Sequence, residues 1–129
     1  MHRPIIDWQK NKRIDENGTV EQQIFSATQN LIRLRKQLPM VADHSNLKWL
    51  TPYNIHIAGF VRQQFDKSLF CFFNFSNAEA SINWQAVKET GIHSTILFDH
   101  WNKKEYRIME QEGALKIAPY GFCLLEVKY

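Results

Sequence analysis

The sequence predicts a mainly β fold, an antiparallel β-sandwich preceded by one long α-helix. Two patterns and one absence predict it. An apolar stripe at helical spacing runs to residue 38 and does not recur. After residue 45, short runs of β-branched and aromatic residues alternate with turn residues. No helical pattern separates those runs, which argues against a parallel sheet built from βαβ units.

Residues 1–18 read as irregular and polar, and Asn17-Gly18 is a turn signal. The helix follows at about residues 20–38. Thr19 and Gln22 fit a capping box, in which hydroxyl and amide satisfy each other's orphan backbone donors. Ile24, Ala27, Leu31, Leu34 and Leu38 form its apolar stripe. Arg33, Arg35 and Lys36 complement the dipole of the last turns, and Pro39 stops the helix. Candidate strands are Leu47–Leu50, Ile55–Gln63, Leu69–Phe75, Ala80–Trp84, Ser94–Phe98, Lys104–Met109, Leu115–Ala118 and Phe122–Lys128. Between them lie turn-forming segments such as Thr51-Pro52, Ser76-Asn77, Glu112-Gly113 and Pro119-Tyr120-Gly121. Strands of this length and spacing suit an antiparallel sandwich or barrel.

Composition narrows the function classes. Nine Phe and four Trp in 129 residues supply a real core, since each such ring buries about 150–250 Å². The net charge is only +3, and Lys and Arg never cluster beyond adjacent pairs such as Arg35-Lys36. That is a solvated surface and not a nucleic-acid-binding patch. No apolar run approaches the ~20 residues of a membrane span. The N-terminal MHRPIIDWQK lacks the apolar core of a signal peptide; a cytoplasmic, bacterial-type location is expected, with an extracellular one left open. Cys71 and Cys123 sit in the apolar runs LFCFF and GFCLL. They read as reduced core residues, with a disulfide open if their strands are neighbours. No metal-ligand spacing and no cofactor motif occurs.

Four segments carry a resemblance. His2-Arg3-Pro4 is followed by Asp7-Trp8. Leu31-Ile32-Arg33-Leu34-Arg35-Lys36-Gln37 ends the helix. Phe73-Asn74-Phe75-Ser76 ends a strand. Leu115-x-Ile117-x-Pro119-Tyr120-Gly121 leads into Leu124-Leu125-Glu126. In this order they resemble the C-terminal segment of alpha-amylase-superfamily enzymes, amylosucrases in particular. The resemblance implies that residues 1–45 are the last loop and helix of a catalytic barrel. Residues 46–129 would then be the C-terminal antiparallel β-domain.

The family transfers or hydrolyses α-glucosyl units by a retaining mechanism, which needs two carboxyl groups ~5–5.5 Å apart. Those carboxyls belong to a barrel of ~250 residues, longer than this chain. Asp7, Asp15, Glu16, Asp66 and Asp99 match none of the family's catalytic motifs, so no catalytic residue is expected here. An arginine of the glucosyl pocket stands just upstream of the His-Arg-Pro in amylosucrases, and Met1 leaves no place for it. The resemblance makes His2, Arg3, Asp7 and Trp8 candidates for the pocket rim, acting on sucrose or an α-glucan. Their commoner role would be to seal the loop against the barrel. A separate idea comes from the aromatics: Trp49, Tyr53, Trp84, Trp101 and Tyr106 could form a carbohydrate-binding platform, although such residues are more often packed in cores. The implied partner is the missing barrel, with no nucleic acid and no membrane. Without a barrel, either the helix stripe is expected to drive self-association or the first ~18 residues to be disordered.

Overall fold

Thr19 starts the helix that the sequence predicts, but only half of the capping box forms. In the computed structural model, which describes residues 5–43, 45–92, 94, 96–108 and 114–128, the Thr19 hydroxyl oxygen accepts from Gln22 N at 3.2 Å. The reciprocal bond is absent. Gln22 Nε2 donates to Ser26 Oγ instead, and Thr19 N donates to Glu16 O. The preceding turn has taken the donor that the box would have used. Helix α2 spans Val20–Gln37. Its stripe is covered at one end only. Leu34 and Leu38 are buried, whereas Ile24 is 62% and Leu31 42% exposed.

The segment before α2 is more ordered than its polarity suggested. Asp7 caps a short helix α1, Trp8–Asn11, by accepting from Gln9 N and Lys10 N. A 3-10 turn, Lys12–Asp15, leads on, and its Arg13 pairs with Glu21 of α2 at 3.3 Å. These elements form one unit, Met1–Leu38, and the rest of the chain forms another, Pro39–Tyr129. The division falls at Leu38 and not at residue 45. The cause lies in a 3-10 turn, Pro39–Val41, which buries Met40 fully and packs on the strands Ile57–Gln64 and Lys67–Asn74 of the second unit.

The second unit is an antiparallel sandwich. Its strands are β1 Leu47–Trp49, β2 Ile57–Gln64, β3 Lys67–Asn74, β4 Ala80–Asn83, β5 Ile96–Asp99, β6 Lys104–Arg107, β7 Ala114–Ile117 and β8 Phe122–Lys128. Six pair in the order β1-β2-β3-β8-β5-β6, and β4 pairs with β7 in a second, smaller sheet. A four-residue helix α3, Gln85–Lys88, follows β4. The core contains Val61, Phe70, Phe72, Leu97, Leu125 and Val127 of the large sheet with Ile82, Leu115 and Ile117 of the small one. Trp84, Ala86 and Val87 complete it around α3. No helix among the described residues is long and apolar enough to cross a membrane.

Register decides where each side chain goes, because successive residues of a strand face opposite sides. Phe72 pairs with Gly59 on one side and with Cys123 on the other. Gly59 is needed there: a Cβ would lie 2.6 Å from Phe72 Cδ1, and Phe72 is fully buried. Gly59→Ala is therefore expected to destabilise the fold by about 1–3 kcal/mol through overpacking. An unchanged urea midpoint would contradict that.

The two cysteines lie on neighbouring strands but cannot join. Cys71 pairs with Leu124 and Cys123 with Phe72, so the thiols point to opposite faces of the sheet. Both are free and buried. Burial pushes the Cys71 thiol up to about 12, slightly offset by Arg62. Burial also raises Cys123, and the Asp99 charge adds to it. Neither is a reactive thiolate.

Candidate functional site

Of the four residues nominated for a pocket rim, two are described, and both belong to the start of α1. His2 and Arg3 lie outside the described residues. The Asp7 carboxylate is used as the cap of α1. Trp8, the first residue of that helix, is 68% exposed. No cluster of His, Cys, Asp or Glu suited to a metal occurs among the described residues.

The five-residue aromatic platform also divides. Trp84 is a core residue, buried where β4 gives way to α3, and Tyr106 packs partly against the same core. The expected strand Ala80–Trp84 stops one residue short, because the Asn83 side chain accepts from Gln85 N and turns the chain into α3. Tyr53 is exposed and bonds through its hydroxyl to Glu89, which raises its own pKa. Trp49 and Trp101 alone join a larger aromatic arrangement, and sequence reading missed most of its members.

That arrangement crosses the outer face of the large sheet. Trp49 on β1 meets Phe60 on β2 edge to face at 5.8 Å. Phe60 stacks on Phe73 of β3 at 5.9 Å. Phe73 stacks on Phe122 of β8 at 5.8 Å, and Phe122 meets Trp101, in the turn after β5, at 4.7 Å. Phe75 extends the row beside Phe73. Such ring pairs add about 0.5–1.5 kcal/mol each beyond their area. The row is nonetheless poorly covered: Trp49 is 71% and Phe75 70% exposed, and Phe60, Phe73 and Phe122 are only half-buried. A signal was present. Residues 69–73, LFCFF, are apolar without alternation, which is how a strand reads when both its faces face apolar surroundings.

Towards the other end the same face becomes ionic. His100 Nε2 lies 2.7 Å from Glu126 Oε2, and Lys128 Nζ lies 3.5 Å from the same oxygen. Burial alone would raise the Glu126 carboxyl, but the hydrogen bond from His100 and the Lys128 charge outweigh it, so its pKa is lowered. Phe98 sits edge-on to the His100 ring at 5.1 Å. The outer face is thus an apolar band with a charged margin.

A cleft opens where the two sheets meet. It has a volume of about 350 Å³, and Trp101, Asn102, Tyr106, Lys116 and Tyr120 line it. Trp101 and Phe122, the last rings of the aromatic row, form part of its wall.

No protein-family model matches the chain, and no curated protein matches it. Solved structures do. The structure of AmyP in complex with maltose superposes on 87% of this chain with a TM-score of 0.65 and 19% identity. A variant of AmyP in complex with maltotriose covers 88% with a TM-score of 0.67 and 14% identity. Trehalose-6-phosphate hydrolase of Bacillus licheniformis covers 82% with a TM-score of 0.57 and 16% identity. These neighbours are alpha-amylase-family enzymes. At such identities the likeness establishes a shared fold. The chain spans 22% of the length of the AmyP chains and 18% of that of the hydrolase.

Proposed function

We propose that residues 39–129 are the non-catalytic C-terminal domain of an alpha-amylase-family enzyme, amylosucrase-like, that transfers or releases α-glucosyl units of sucrose or α-glucans. The domain packs on the enzyme's catalytic barrel and stabilises it. The observation that carries this is the aromatic row of Trp49, Phe60, Phe73, Phe75 and Phe122, in which Trp49 and Phe75 are exposed. An apolar band of this kind on a sandwich is a surface waiting for a partner. The likeness to parts of much longer enzymes supports a catalytic barrel as that partner. Under this reading α2 belongs to the barrel, and the exposed Ile24 and Leu31 face it. Left without a barrel, the chain self-associates through these exposed apolar residues.

The experiment compares two settings. Burying Trp49 or Phe75 against a barrel would contribute about 3–4 kcal/mol each before ordering costs. Trp49→Ser and Phe75→Ser are therefore expected to cost the 129-residue chain only the ring pair that each removes, about 0.5–1.5 kcal/mol in urea unfolding. In an enzyme that carries this domain behind a barrel, the same changes should cost the domain about 3 kcal/mol more than that. Equal effects in both settings would overturn the reading. So would turnover of sucrose or maltooligosaccharides by the 129-residue chain, which is shorter than the barrel of ~250 residues that this reading makes the seat of catalysis.

A further inference from the structure

Asn17-Gly18, legible in the sequence as a turn, has a chemical property that neither the sandwich nor the docking role uses. It is the one asparagine–glycine pair of the chain. The main-chain nitrogen after an asparagine can attack the side-chain carbonyl carbon and close a five-membered ring. Three conditions favour that attack: an unengaged following N–H, no Cβ beside it, and a side chain free to swing. Both residues are exposed. Gly18 N donates to nothing, and the Asn17 side chain bonds to nothing, among the described residues. Gly18 has φ 84, and a Cβ built on it would meet no atom within 4 Å, so no neighbour obstructs rotation there. One main-chain bond closes the turn, Thr19 N to Glu16 O at 3.3 Å, just beyond the usual range for such a bond.

Every other asparagine lacks at least one of these conditions. Asn74 is buried, with both ends of its amide bonded. Asn102 gives its Nδ2 to Asp99, and Asn83 accepts from Gln85 N through Oδ1. Asn30 lies inside α2, where the following amide is held in the helix. Asn77, exposed like Asn17, is followed by Ala78, whose N donates to Ser76 Oγ at 3.4 Å.

We propose that Asn17 is a site of spontaneous deamidation and that its product loosens the start of α2. Gly18 N forms a bond to Asn17 Cγ while the Cγ–Nδ2 bond breaks, and Nδ2 leaves as ammonia with the proton from Gly18 N. Water then opens the resulting succinimide. Addition at Cγ gives aspartate. Addition at the main-chain carbonyl gives isoaspartate, whose main chain runs through Cγ. No oxidant or reductant takes part. The isoaspartate lengthens the Glu16–Thr19 turn by one methylene and sets a carboxylate beside Asp15 and Glu16. Thr19 couples that turn to the helix: its hydroxyl donates towards Arg13 O at 2.6 Å and Glu16 O at 2.9 Å, and accepts from Gln22 N at 3.2 Å. The longer turn cannot keep all three, so the first turn of α2 loses its cap. The site is independent of the docking role, since no residue of the aromatic row takes part.

In the test, the 129-residue chain is stored at neutral and mildly alkaline pH over several weeks. Its tryptic peptide Ile14–Arg33 is followed by mass spectrometry with electron-transfer fragmentation. Asn17 is expected to gain one mass unit at least ~10-fold faster than Asn77 or any other asparagine, faster still at the higher pH, with isoaspartate the larger product. Gly18→Ala should slow the conversion at least ~10-fold. Asn17→Gln should prevent it, because the longer side chain would have to close a six-membered ring. The amides of Gln22 and Gln23 bond to Thr19. Their hydrogen exchange should quicken at least ~3-fold in the aged chain, while that of Phe72 and Leu125 stays the same. Asn17→Gln stored for the same time should match the fresh chain. The proposal fails if Asn17 stays intact, or converts no faster than the other asparagines, as a chain unfolding in storage would show. It fails too if Gly18→Ala deamidates at the parent's rate, or if a chain rich in isoaspartate protects Gln22 and Gln23 as the fresh chain does.

Discussion

Asn74→Ala is expected to destabilise the sandwich by about 3–4 kcal/mol, because one buried amide ties three segments together. Asn74 is 3% exposed. Its Nδ2 donates towards the carbonyls of Ala78 at 2.8 Å, Ala118 at 3.0 Å and Ile117 at 3.2 Å. Its Oδ1 accepts from Ser76 N at 2.9 Å and Ser76 Oγ at 2.8 Å, and its backbone N donates to Gly121 O. The end of β3, the turn after it and the β7–β8 hairpin all meet here. Each buried polar group left unpaired costs about 1–3 kcal/mol, and water entering at the end of the sandwich recovers part of that. Asn74→Asp sharpens the test. Its shape is nearly the same, but a carboxylate would face three carbonyl oxygens. That environment raises the folded-state pKa above the unfolded value near 4. The added penalty is then full above the folded pKa and absent below the unfolded one. Urea unfolding should show Asn74→Asp at least as unstable as Asn74→Ala at about pH 7, with the gap closing towards pH 4. A loss below about 1 kcal/mol for Asn74→Ala would show that the network is dispensable.

The same residue shows what sequence reading reaches and where it stops. Phe73-Asn74-Phe75-Ser76 and Pro119-Tyr120-Gly121 were legible as motifs, but their contact through Asn74 was not, because no local pattern encodes a bond across forty residues of chain. The eight strands were legible, since β-branched and aromatic runs between turn residues reflect a local preference. Their limits moved by at most about two residues where both sides are described, the scatter usual for element ends. The short helices α1 and α3 were not legible. Four residues give no period to detect, and each begins with a single side chain, Asp7 or Asn83, accepting a nearby amide. The candidate site was the least legible part. Exposure of an aromatic depends on register, and a shift of one residue changes its face. Trp84 thus went to the core while Phe60, Phe73 and Phe122 made the outer row. Asp7, which the resemblance placed near a pocket, serves its own helix.

Asp99→Ala is expected to cost about 3–4 kcal/mol as well, and the nearby Asn102 allows the cause to be isolated. Asp99 is fully buried. Its Oδ1 accepts from Trp101 N at 2.9 Å, Asn102 N at 3.2 Å and Leu124 N at 3.3 Å, and its Oδ2 from Asn102 Nδ2 at 2.7 Å. Three backbone amides and one side chain therefore depend on one carboxylate, which joins the β5–β6 turn to β8. Asp99→Asn keeps the Oδ1 acceptor but sets its new amide N–H₂ against that of Asn102, at a cost of about 2 kcal/mol. Asn102→Asp alone places two carboxylates side by side and costs a similar amount. Together they restore a donor facing an acceptor with the roles exchanged, so the double variant should be more stable than either single one. The double-mutant cycle is expected to give a coupling of about 2 kcal/mol in urea unfolding. Additive losses would mean that the carboxylate matters only to the backbone amides.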